Sequence, residues 1–287
     1  MQNFKTRHRV TFVQRELTTQ AIHMPLFLAR HGERLDYDQL KKGVVWANDA
    51  ARPWDPPLTP AGEEQGALLG SGAAVHASRL GLPPITRVIS SPLLRCMQTA
   101  AAAAEKLGLP VSVEPGLAEG VGEDWYRSWA VEGANGSWGA NSAPVSAQTA
   151  TEPSAARRAE ATQPAGTLLL DGKEYLGPRR DASYVPVWPA EQHTSCWDRF
   201  ETEEDLANRL TAVLLALHER YPTESILALS HGGPCAHGFR GVTGLESPVT
   251  GYTALYVMVR DDDAGKWTAP LVADTSHLTA QGLSSMD

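Results

Sequence analysis

Leu28-Ala29-Arg30-His31-Gly32-Glu33-Arg34 is an apolar run that stops at an arginine and a histidine followed by glycine. A brief apolar run closed by glycine is typical of a buried strand, so we predict a strand over Pro25 to Ala29. An imidazole beside a guanidinium suits attack on a phosphoryl group, because the cation holds the dianion while the neutral ring nitrogen acts as nucleophile. This chemistry requires a second cation, a second histidine and an acid elsewhere in the chain.

Helix signals and apolar strands alternate after this stretch. Thr59-Pro60 and Ser91-Pro92 each place a capping residue before a proline, which predicts helix starts at both positions. The first helix should run to about Arg79 and the second to Leu107, where Gly108 ends it. Further strands are expected over residues 86–90, 111–113 and 225–230, and an amphipathic helix over residues 201–221. This alternation predicts an α/β fold with a doubly wound, mostly parallel sheet and helices on both faces.

Residues that can bind phosphate follow three of these strands. Arg30 and His31 follow the first, Arg95 lies in the first turn of the helix after the second, and His231 follows the last. Ligands bind outside the carboxyl ends of parallel strands, so these residues should converge at one edge of the sheet. A single histidine or arginine of this kind is more often a structural residue. The shared pattern of apolar strand, histidine and glycine at His31 and His231 favours the functional interpretation.

Composition restricts the classes of protein that remain. With 287 residues, 42% of them hydrophobic, the chain can form one large α/β domain. A net charge of -8 and a pI near 5.6 argue against a nucleic-acid binder, and no apolar run approaches the roughly 18 residues of a membrane span. The three cysteines, Cys96, Cys196 and Cys235, are too widely spaced for a disulfide framework or a zinc ribbon. A reducing, cytoplasmic location is the simpler expectation.

Two segments fall outside the alternation of strands and helices. Residues 1–24 carry four basic side chains and one acid, which fits a transit peptide less well than a disordered or edge-strand leader. Residues 140–167 contain no aromatic side chain, and Val145 is their only branched aliphatic residue. Such a segment buries too little apolar surface to offset its ordering entropy. We therefore predict a mobile, low-complexity insertion over about residues 134–180.

Four motifs together resemble the histidine phosphatase superfamily, which has the phosphoglycerate-mutase-like fold. They are Arg30-His31-Gly32-Glu33, Asp55-Pro-Pro-Leu-Thr with Gly62 and Gln65, Ser91-Pro-Leu-Leu-Arg-Cys-Met-Gln-Thr-Ala100, and Ser230-His231-Gly232. They are most similar to the phosphatase domains of ubiquitin-associated and SH3-domain-containing proteins and to the ecdysteroid-phosphate phosphatases. Asp181 to Pro189 also looks like a segment of those domains. The resemblance implies a single domain of this family over residues 25–287, with a cap or insertion region.

The resemblance also implies a role for each site residue. His31 would be the nucleophile that accepts the phosphoryl group, His231 would contact that group, and Glu119 would be the general acid. Glu123 and Asp124 are alternatives for the acid. Arg30, Arg34, Arg95 and Gly232 would bind the phosphate. No metal or other cofactor is expected, because arginines and histidines supply the positive charge.

The expected function is a metal-independent phosphomonoesterase that forms a phosphohistidine on His31. A phosphoglycerate-mutase-type phosphotransferase and a catalytically weak phospho-ligand-binding module are the alternatives. The substrate would be a phosphorylated small molecule or a phosphotyrosine-type group. Trp125, Tyr126 and Trp129 could stack on such a leaving group, although packing within a cap is the more common role of such a cluster. The oligomeric state cannot be predicted from these patterns.

Other chemistries fit the spacing of residues less well. Cys235 and Arg240 lie one residue too close together for the loop of a cysteine phosphatase. His231, Cys235 and His237 lack a fourth metal ligand at a recognisable spacing. Secreted acid phosphatases of the superfamily usually have proline where this chain has Asp36, which favours the intracellular branch.

Overall fold

The apolar run before His31 forms a strand, β1, with four of its five residues buried. In the computed structural model, residues 24–120, 122, 172–189, 200–261 and 264–279 are described. The strands are β1 (Leu26–Arg30), β2 (Ile85–Ser90), β3 (Val111–Val113), β4 (Ser225–Ser230), β5 (Leu255–Asp261) and β6 (Lys266–Asp274). The helices are α1 (Leu35–Lys41), α2 (Pro60–Arg79), α3 (Leu94–Leu107), α4 (Lys173–Leu176), α5 (Glu203–Arg220), α6 (Gly232–Thr243) and α7 (Ser276–Thr279).

The six strands form one sheet in the order β3-β2-β4-β1-β5-β6. Strands β1 to β4 pair in parallel, which confirms the predicted mostly parallel sheet. Strand β5 pairs antiparallel with β1, and β6 pairs antiparallel with β5. The sequence analysis did not predict this terminal hairpin. Strand β1 therefore lies between β4 and β5, in the interior of the sheet.

Helices cover both faces of the sheet, because successive side chains of each strand point to opposite faces. Phe27 and Ala29 of β1 pack on one side with the apolar residues of α2 and α3. Leu26 and Leu28 pack on the other side with α5 and α6. The predicted doubly wound α/β fold is thus confirmed. Among the helices of the described residues, none is long and apolar enough to cross a membrane.

Three glycines of α2, spaced four residues apart, allow its backbone to pack closely against α3 and against the loop that carries His31. A Cβ atom on Gly70 would lie 2.5 Å from the carbonyl oxygen of Ala103 in α3, and one on Gly66 would lie 3.1 Å from Thr99. A Cβ on Gly62 would lie 2.4 Å from the carbonyl oxygen of Glu33. These positions form one face of the helix. The backbone of α2 therefore contacts both α3 and the loop that carries His31.

The helix ends agree only in part with the sequence analysis. The Thr59 hydroxyl accepts a hydrogen bond from the Gly62 amide, which confirms the predicted N-cap. Gly108 ends α3 with a φ of 66°, as expected. The prediction that Ser91 caps α3 was wrong. The Leu94 amide at the start of α3 instead donates to Asp55 Oδ1 over 2.7 Å, while the Ser91 hydroxyl hydrogen-bonds to His231.

Residues 172–180, at the end of the predicted insertion, pack on the domain. Helix α4 and the short 3-10 turn Gly177–Arg179 lie here, and Leu176 is buried with Met97 and Val113. The Asp181 amide donates to the carbonyl oxygen of Val111 on the edge strand. Residues 1–23 of the predicted leader and residues 134–171 of the predicted insertion lie outside the described residues.

Gly70→Ala is expected to destabilise the protein even though alanine is the better helix former. The gain in helix propensity is about 1 kcal/mol, whereas the contact with Ala103 forces the two helices apart at a cost of about 1–3 kcal/mol. We expect a net loss in the free energy of unfolding, measured by urea denaturation. Ser71→Ala, at an exposed position of the same helix, is the matched control and should have little effect. A Gly70→Ala protein as stable as the control would refute the close contact.

Candidate active site

The two histidines that follow β1 and β4 meet at the carboxyl ends of the parallel strands. The ring centroids of His31 and His231 lie 5.3 Å apart with an interplanar angle of 64°. Both side chains are buried, with exposed fractions of 1% and 0%. Arg95 and Glu119 contribute charged groups to the same cluster. The structure therefore brings together residues that lie far apart in the sequence.

His31 is held as a neutral ring with a defined tautomer. Its Nδ1 lies 2.7 Å from the carbonyl oxygen of Gly32. Because a carbonyl oxygen can only accept, Nδ1 must carry the proton and donate it. Burial lowers the pKa of His31 well below 6.5, and the charges of Arg95, Arg30 and Arg34 lower it further. The neutral ring then keeps the lone pair of Nε2 free for nucleophilic attack.

The loop after His31 is fixed by side chains of α2 and α3. The Gly32 amide donates to Thr99 Oγ1 over 3.0 Å, and the Glu33 amide donates to Gln65 Oε1 over 2.7 Å. Thr59 Oγ1 donates to the Glu33 carboxylate over 2.7 Å. These residues belong to the motifs of the sequence analysis, which gave Thr59 the role of a helix cap and gave Gln65 and Thr99 no role. They hold the backbone of the loop, and thereby the direction of the imidazole.

Arg95 is the most buried charged side chain of the site. Its exposed fraction is 0%, and none of its three guanidinium nitrogens has a hydrogen-bond partner among the described residues. Nη1 lies 3.9 Å from Asp55 Oδ1 and Nη2 lies 3.6 Å from Glu119 Oε2, both beyond hydrogen-bond distance. Burial lowers the pKa of Arg95. Burial of a guanidinium whose N–H groups make no hydrogen bonds is costly, so this arrangement favours binding of an anion.

Arg30 and Arg34 differ from Arg95 because other groups already hold them. Arg30 Nη1 donates to the carbonyl oxygen of Thr250 over 2.8 Å, and its guanidinium lies 4.4 Å from the centre of the Tyr252 ring. Arg34 donates to both oxygens of Asp36, over 2.9 and 2.5 Å. This fork-like pair partly neutralises Arg34. Its contribution to an anion site is thus weaker than that of Arg95.

Gly232 begins α6 directly after His231 and lies beside Arg30. A Cβ atom at Gly232 would lie 3.6 Å from Arg30 Nε. His231 occupies the N-cap position of this helix and makes no side-chain capping bond. The first backbone amides of a helix favour an anion. Gly232 therefore adds an amide donor on the side of the site formed by Arg30.

Glu119 lies against His231 and Arg95. Its Oε2 is 3.5 Å from His231 Nδ1, and its Oε1 accepts from the Gly120 amide over 3.1 Å. Burial raises the pKa of Glu119 above 4.5, although Arg95 acts in the opposite direction. A carboxyl group with a raised pKa can deliver a proton near neutral pH. The alternative acids, Glu123 and Asp124, lie outside the described residues, as do Trp125, Tyr126 and Trp129.

His231 has one close polar neighbour that the sequence analysis assigned to another role. Its Nε2 lies 2.8 Å from the Ser91 hydroxyl, and Cys96 Sγ lies 3.4 Å from the same nitrogen. Burial lowers the pKa of His231, and Arg95 and His31 lower it further. Burial also raises the pKa of Cys96, so its thiol stays protonated and is not a nucleophile. The motif Ser91-Pro92 was the only sequence signal at Ser91, and it indicated a helix cap instead of a contact with His231.

Among the described parts of the chain, no group of three or more His, Cys, Asp or Glu side chains could hold a metal ion. Cys235 is buried among apolar residues of α5 and α6, and burial raises the pKa of its thiol. Its neighbourhood is that of a core residue.

Residues 26–161 match the model of the histidine phosphatase superfamily, branch 1. This part of the chain, just under half of its length, has the sequence pattern of the histidine phosphatase superfamily. This match confirms the family predicted from the motifs and supports the prediction of a phosphatase. The matched residues include His31, Arg95 and Glu119 of the site. No curated protein sequence matches the chain.

Solved structures of the superfamily share the fold. The glucosyl-3-phosphoglycerate phosphatase of mycobacteria in complex with VO3 has a TM-score of 0.52 at 17% identity, over 88% of this chain and 100% of the other. Mycobacterial hydrolase 1 has a TM-score of 0.51 at 18% identity, over 88% and 99% of the two chains. The ecdysone phosphate phosphatase of Bombyx mori with tungstate has a TM-score of 0.50 at 18% identity, over 88% and 96%.

Arg95→Met is expected to abolish the stabilisation of the fold by inorganic phosphate. Phosphate at about 100 times its Kd should stabilise the wild type by about 2.7 kcal/mol, which raises Tm by roughly 5–10 °C. Methionine fills much of the same volume but offers no donor to the anion. Differential scanning fluorimetry with and without phosphate measures the effect. Arg87→Met, whose guanidinium pairs with Glu224, is the control and should keep the full rise. An undiminished rise in Arg95→Met would place the anion elsewhere.

Proposed function

We propose that the protein is a metal-independent phosphomonoesterase that transfers the phosphoryl group first to His31 and then to water. The observation that carries this proposal is the fully buried guanidinium of Arg95, which lacks a hydrogen-bond partner among the described residues. It lies beside a neutral histidine and a carboxyl group with a raised pKa. These are the three groups that phosphoryl transfer to a histidine requires: a cation, a nucleophile and an acid.

In the first step, the phosphate dianion binds to the guanidinium groups of Arg30, Arg34 and Arg95 and to the Gly232 amide. The lone pair of His31 Nε2 forms a bond to phosphorus, and the bond between phosphorus and the ester oxygen breaks. Glu119 gives its proton to the departing oxygen, so that the product is a neutral alcohol. Guanidinium groups fixed before the reaction stabilise the charge that spreads over the phosphoryl oxygens.

In the second step, water hydrolyses the phosphohistidine. The Glu119 carboxylate accepts a proton from the water molecule as its oxygen attacks phosphorus, and the bond to Nε2 breaks. Inorganic phosphate leaves, and both His31 and Glu119 return to their starting protonation states. His231, whose ring packs against His31, would contact the phosphoryl group during both steps. Its low pKa keeps it neutral, so its role is to donate a hydrogen bond.

The arginines supply the positive charge that a metal ion provides in other phosphatases, so we propose that no metal is required. The proposed substrate is a phosphorylated small molecule, with a phosphotyrosine-type group as the alternative. Two phosphatases of this fold have structures in complex with VO3 and with tungstate, and this supports the proposal that the present fold binds an oxyanion. We also retain the prediction of a cytoplasmic location, which the free, buried thiols of Cys96 and Cys235 fit.

A phosphoryl-trapping experiment tests the proposed nucleophile. Enzyme in excess EDTA should hydrolyse p-nitrophenyl phosphate, and a rapid quench should trap phosphate that is labile in acid and stable in base, as a phosphohistidine is. His31→Ala should abolish both the trapped phosphate and turnover. His218→Ala, at a histidine of α5 that makes an edge-to-face contact with Trp267, is the control and should keep both. Phosphate trapped on a residue other than His31 would contradict the mechanism.

The same preparation separates the phosphatase from a mutase. A mutase should isomerise 3-phosphoglycerate when 2,3-bisphosphoglycerate is present, without net release of phosphate. We expect release of inorganic phosphate from aryl phosphate and no such isomerisation. Isomerisation without release would assign the site to phosphotransfer, and inactivity of the folded protein on both substrates would assign it to ligand binding.

The pH dependence of kcat/KM tests the role of Glu119. Burial raises the pKa of this carboxyl above 4.5, so the acid form persists to higher pH than in a free glutamate. As pH rises through that raised pKa, Glu119 loses its proton and kcat/KM should fall. Glu119→Gln should lower kcat by about 10²–10⁴-fold and remove this basic limb of the profile. Glu224→Gln, at the opposite end of the sheet, should leave the limb unchanged. A basic limb that survives in Glu119→Gln would assign the acid to another residue.

A further inference from the structure

The loop that carries Glu119 is held by a single arginine of α5. We call residues 115–120 the acid loop. Arg209 Nη1 donates to the carbonyl oxygens of Gly116 and Ala118 over 2.7 and 3.1 Å, and Nη2 lies 3.5 Å from the carbonyl oxygen of Glu119. The Arg209 side chain is buried, with an exposed fraction of 4%. One guanidinium thus binds the carbonyl groups of Gly116 and Ala118 and lies close to that of Glu119.

Arg209 is in turn oriented by Glu201. Nε donates to Oε1 and Nη2 donates to Oε2, each over 2.7 Å. This fork-like geometry fixes the plane of the guanidinium as well as its position. Because Glu201 balances the charge of Arg209, the pair adds little net charge near the site. Its effect on the site therefore comes from the position in which it holds the acid loop. Lysine could not make the same set of bonds, since its ammonium is a single point.

The Glu119 side chain has little else to hold it. Among the described residues, its carboxylate accepts one hydrogen bond, from the adjacent Gly120 amide, which belongs to the same loop and moves with it. The nearest groups of the site, His231 Nδ1 at 3.5 Å and Arg95 Nη2 at 3.6 Å, lie beyond the usual length of a hydrogen bond. The position of the carboxyl relative to the histidines is therefore set by the backbone of the acid loop.

Among the described residues, the other side-chain hydrogen bonds from outside the acid loop reach its first half. Ser230 Oγ donates to the carbonyl oxygen of Leu117 over 2.7 Å, and the Gly116 amide donates to Glu114 Oε1 over 3.0 Å. Gly116 is also tightly packed, because a Cβ there would lie 2.4 Å from Val213 Cγ2. Arg209 is the side chain that extends this support to the carbonyl group of Ala118, and it also approaches the carbonyl group of Glu119. It is placed to fix the half of the loop that carries the acid.

We propose that Arg209, oriented by Glu201, is a positioning residue for the general acid of this enzyme, an inference that rests on the proposed function. Protonation of the leaving oxygen requires the acid within hydrogen-bond reach, and a displacement of about 1 Å can cost about 10²-fold in rate. The effect must depend on the leaving group. An alkoxide needs the proton of Glu119, whereas 2,4-dinitrophenolate leaves readily without one.

The test compares kcat/KM for an alkyl phosphate and for 2,4-dinitrophenyl phosphate, because kcat/KM reports the transfer to His31 and not the later hydrolysis. Arg209→Met should lower kcat/KM about 10²-fold for the alkyl ester and less than about 3-fold for the dinitrophenyl ester. Glu201→Gln, which keeps the carbonyl bonds of Arg209 but weakens its orientation, should show a smaller loss of the same kind. Arg87→Met removes a comparable pair with Glu224 at the other end of the sheet and should affect neither ester.

A second measurement does not depend on turnover. The ring nitrogen resonances of His231 in protein labelled with 15N-histidine report the neighbouring Glu119 carboxyl. They should shift in Arg209→Met and Glu201→Gln and stay unchanged in Arg87→Met. An equal loss on both esters with unchanged His231 resonances would overturn the proposal and make Arg209 a purely structural residue. A wild type inactive on both esters would refute the proposed function, and the His231 resonances would still decide whether Arg209 positions Glu119.

Discussion

Electrostatic repulsion among buried cations governs the site. The guanidinium groups of Arg30, Arg34 and Arg95 lie around two imidazoles that burial and these same charges keep neutral. In water, solvent would hydrate these guanidinium groups and screen their repulsion. At the carboxyl ends of buried strands, an N–H group that makes no hydrogen bond loses its hydration, which raises the free energy of the folded protein. The fold must therefore supply enough packing to hold the pocket open to an anion. A bound dianion would relieve the repulsion, so the proposed site links affinity for phosphate to stability of the protein.

Packing around the pocket provides this support in two layers. On one face of the sheet, glycines of α2 allow the helix to contact the loop of His31 and helix α3 directly, so the nucleophile and Arg95 share one rigid support. On the other face, α5 supports the acid loop through Arg209. The proposed nucleophile, His31, and the proposed acid, Glu119, are thus supported by different layers of the domain. Strand β4, which leads to His231, lies between them in the sheet.

Local patterns in the sequence predicted the elements that position the site. Apolar runs such as Ser225–Ser230 and the cap at Thr59 are local signals, and the repeated strand, histidine and glycine pattern indicated which strand ends meet. Bonds between distant residues leave no such trace. The role of Ser91 was misjudged because its hydroxyl bonds to His231, 140 residues away, and the helix start is capped by Asp55 instead. Arg209 was missed because its partners are backbone carbonyl groups, which every residue has. The β5 and β6 hairpin was missed because β6 alternates exposed and half-buried residues at the edge of the sheet.

The place of β1 in the sheet has a consequence for the synthesis of the protein. The strand that ends at His31 is made early, yet both of its neighbours, β4 and β5, come from the last third of the chain. Until residues 225–261 leave the ribosome, β1 has two unpaired edges and the site lacks His231. Such long-range pairings slow folding and expose strand edges that can aggregate. We therefore expect the N-terminal half of this protein to depend on chaperones until β4 and β5 have been synthesised. A shortened chain that ends before β5 should fail to hold His31 in place.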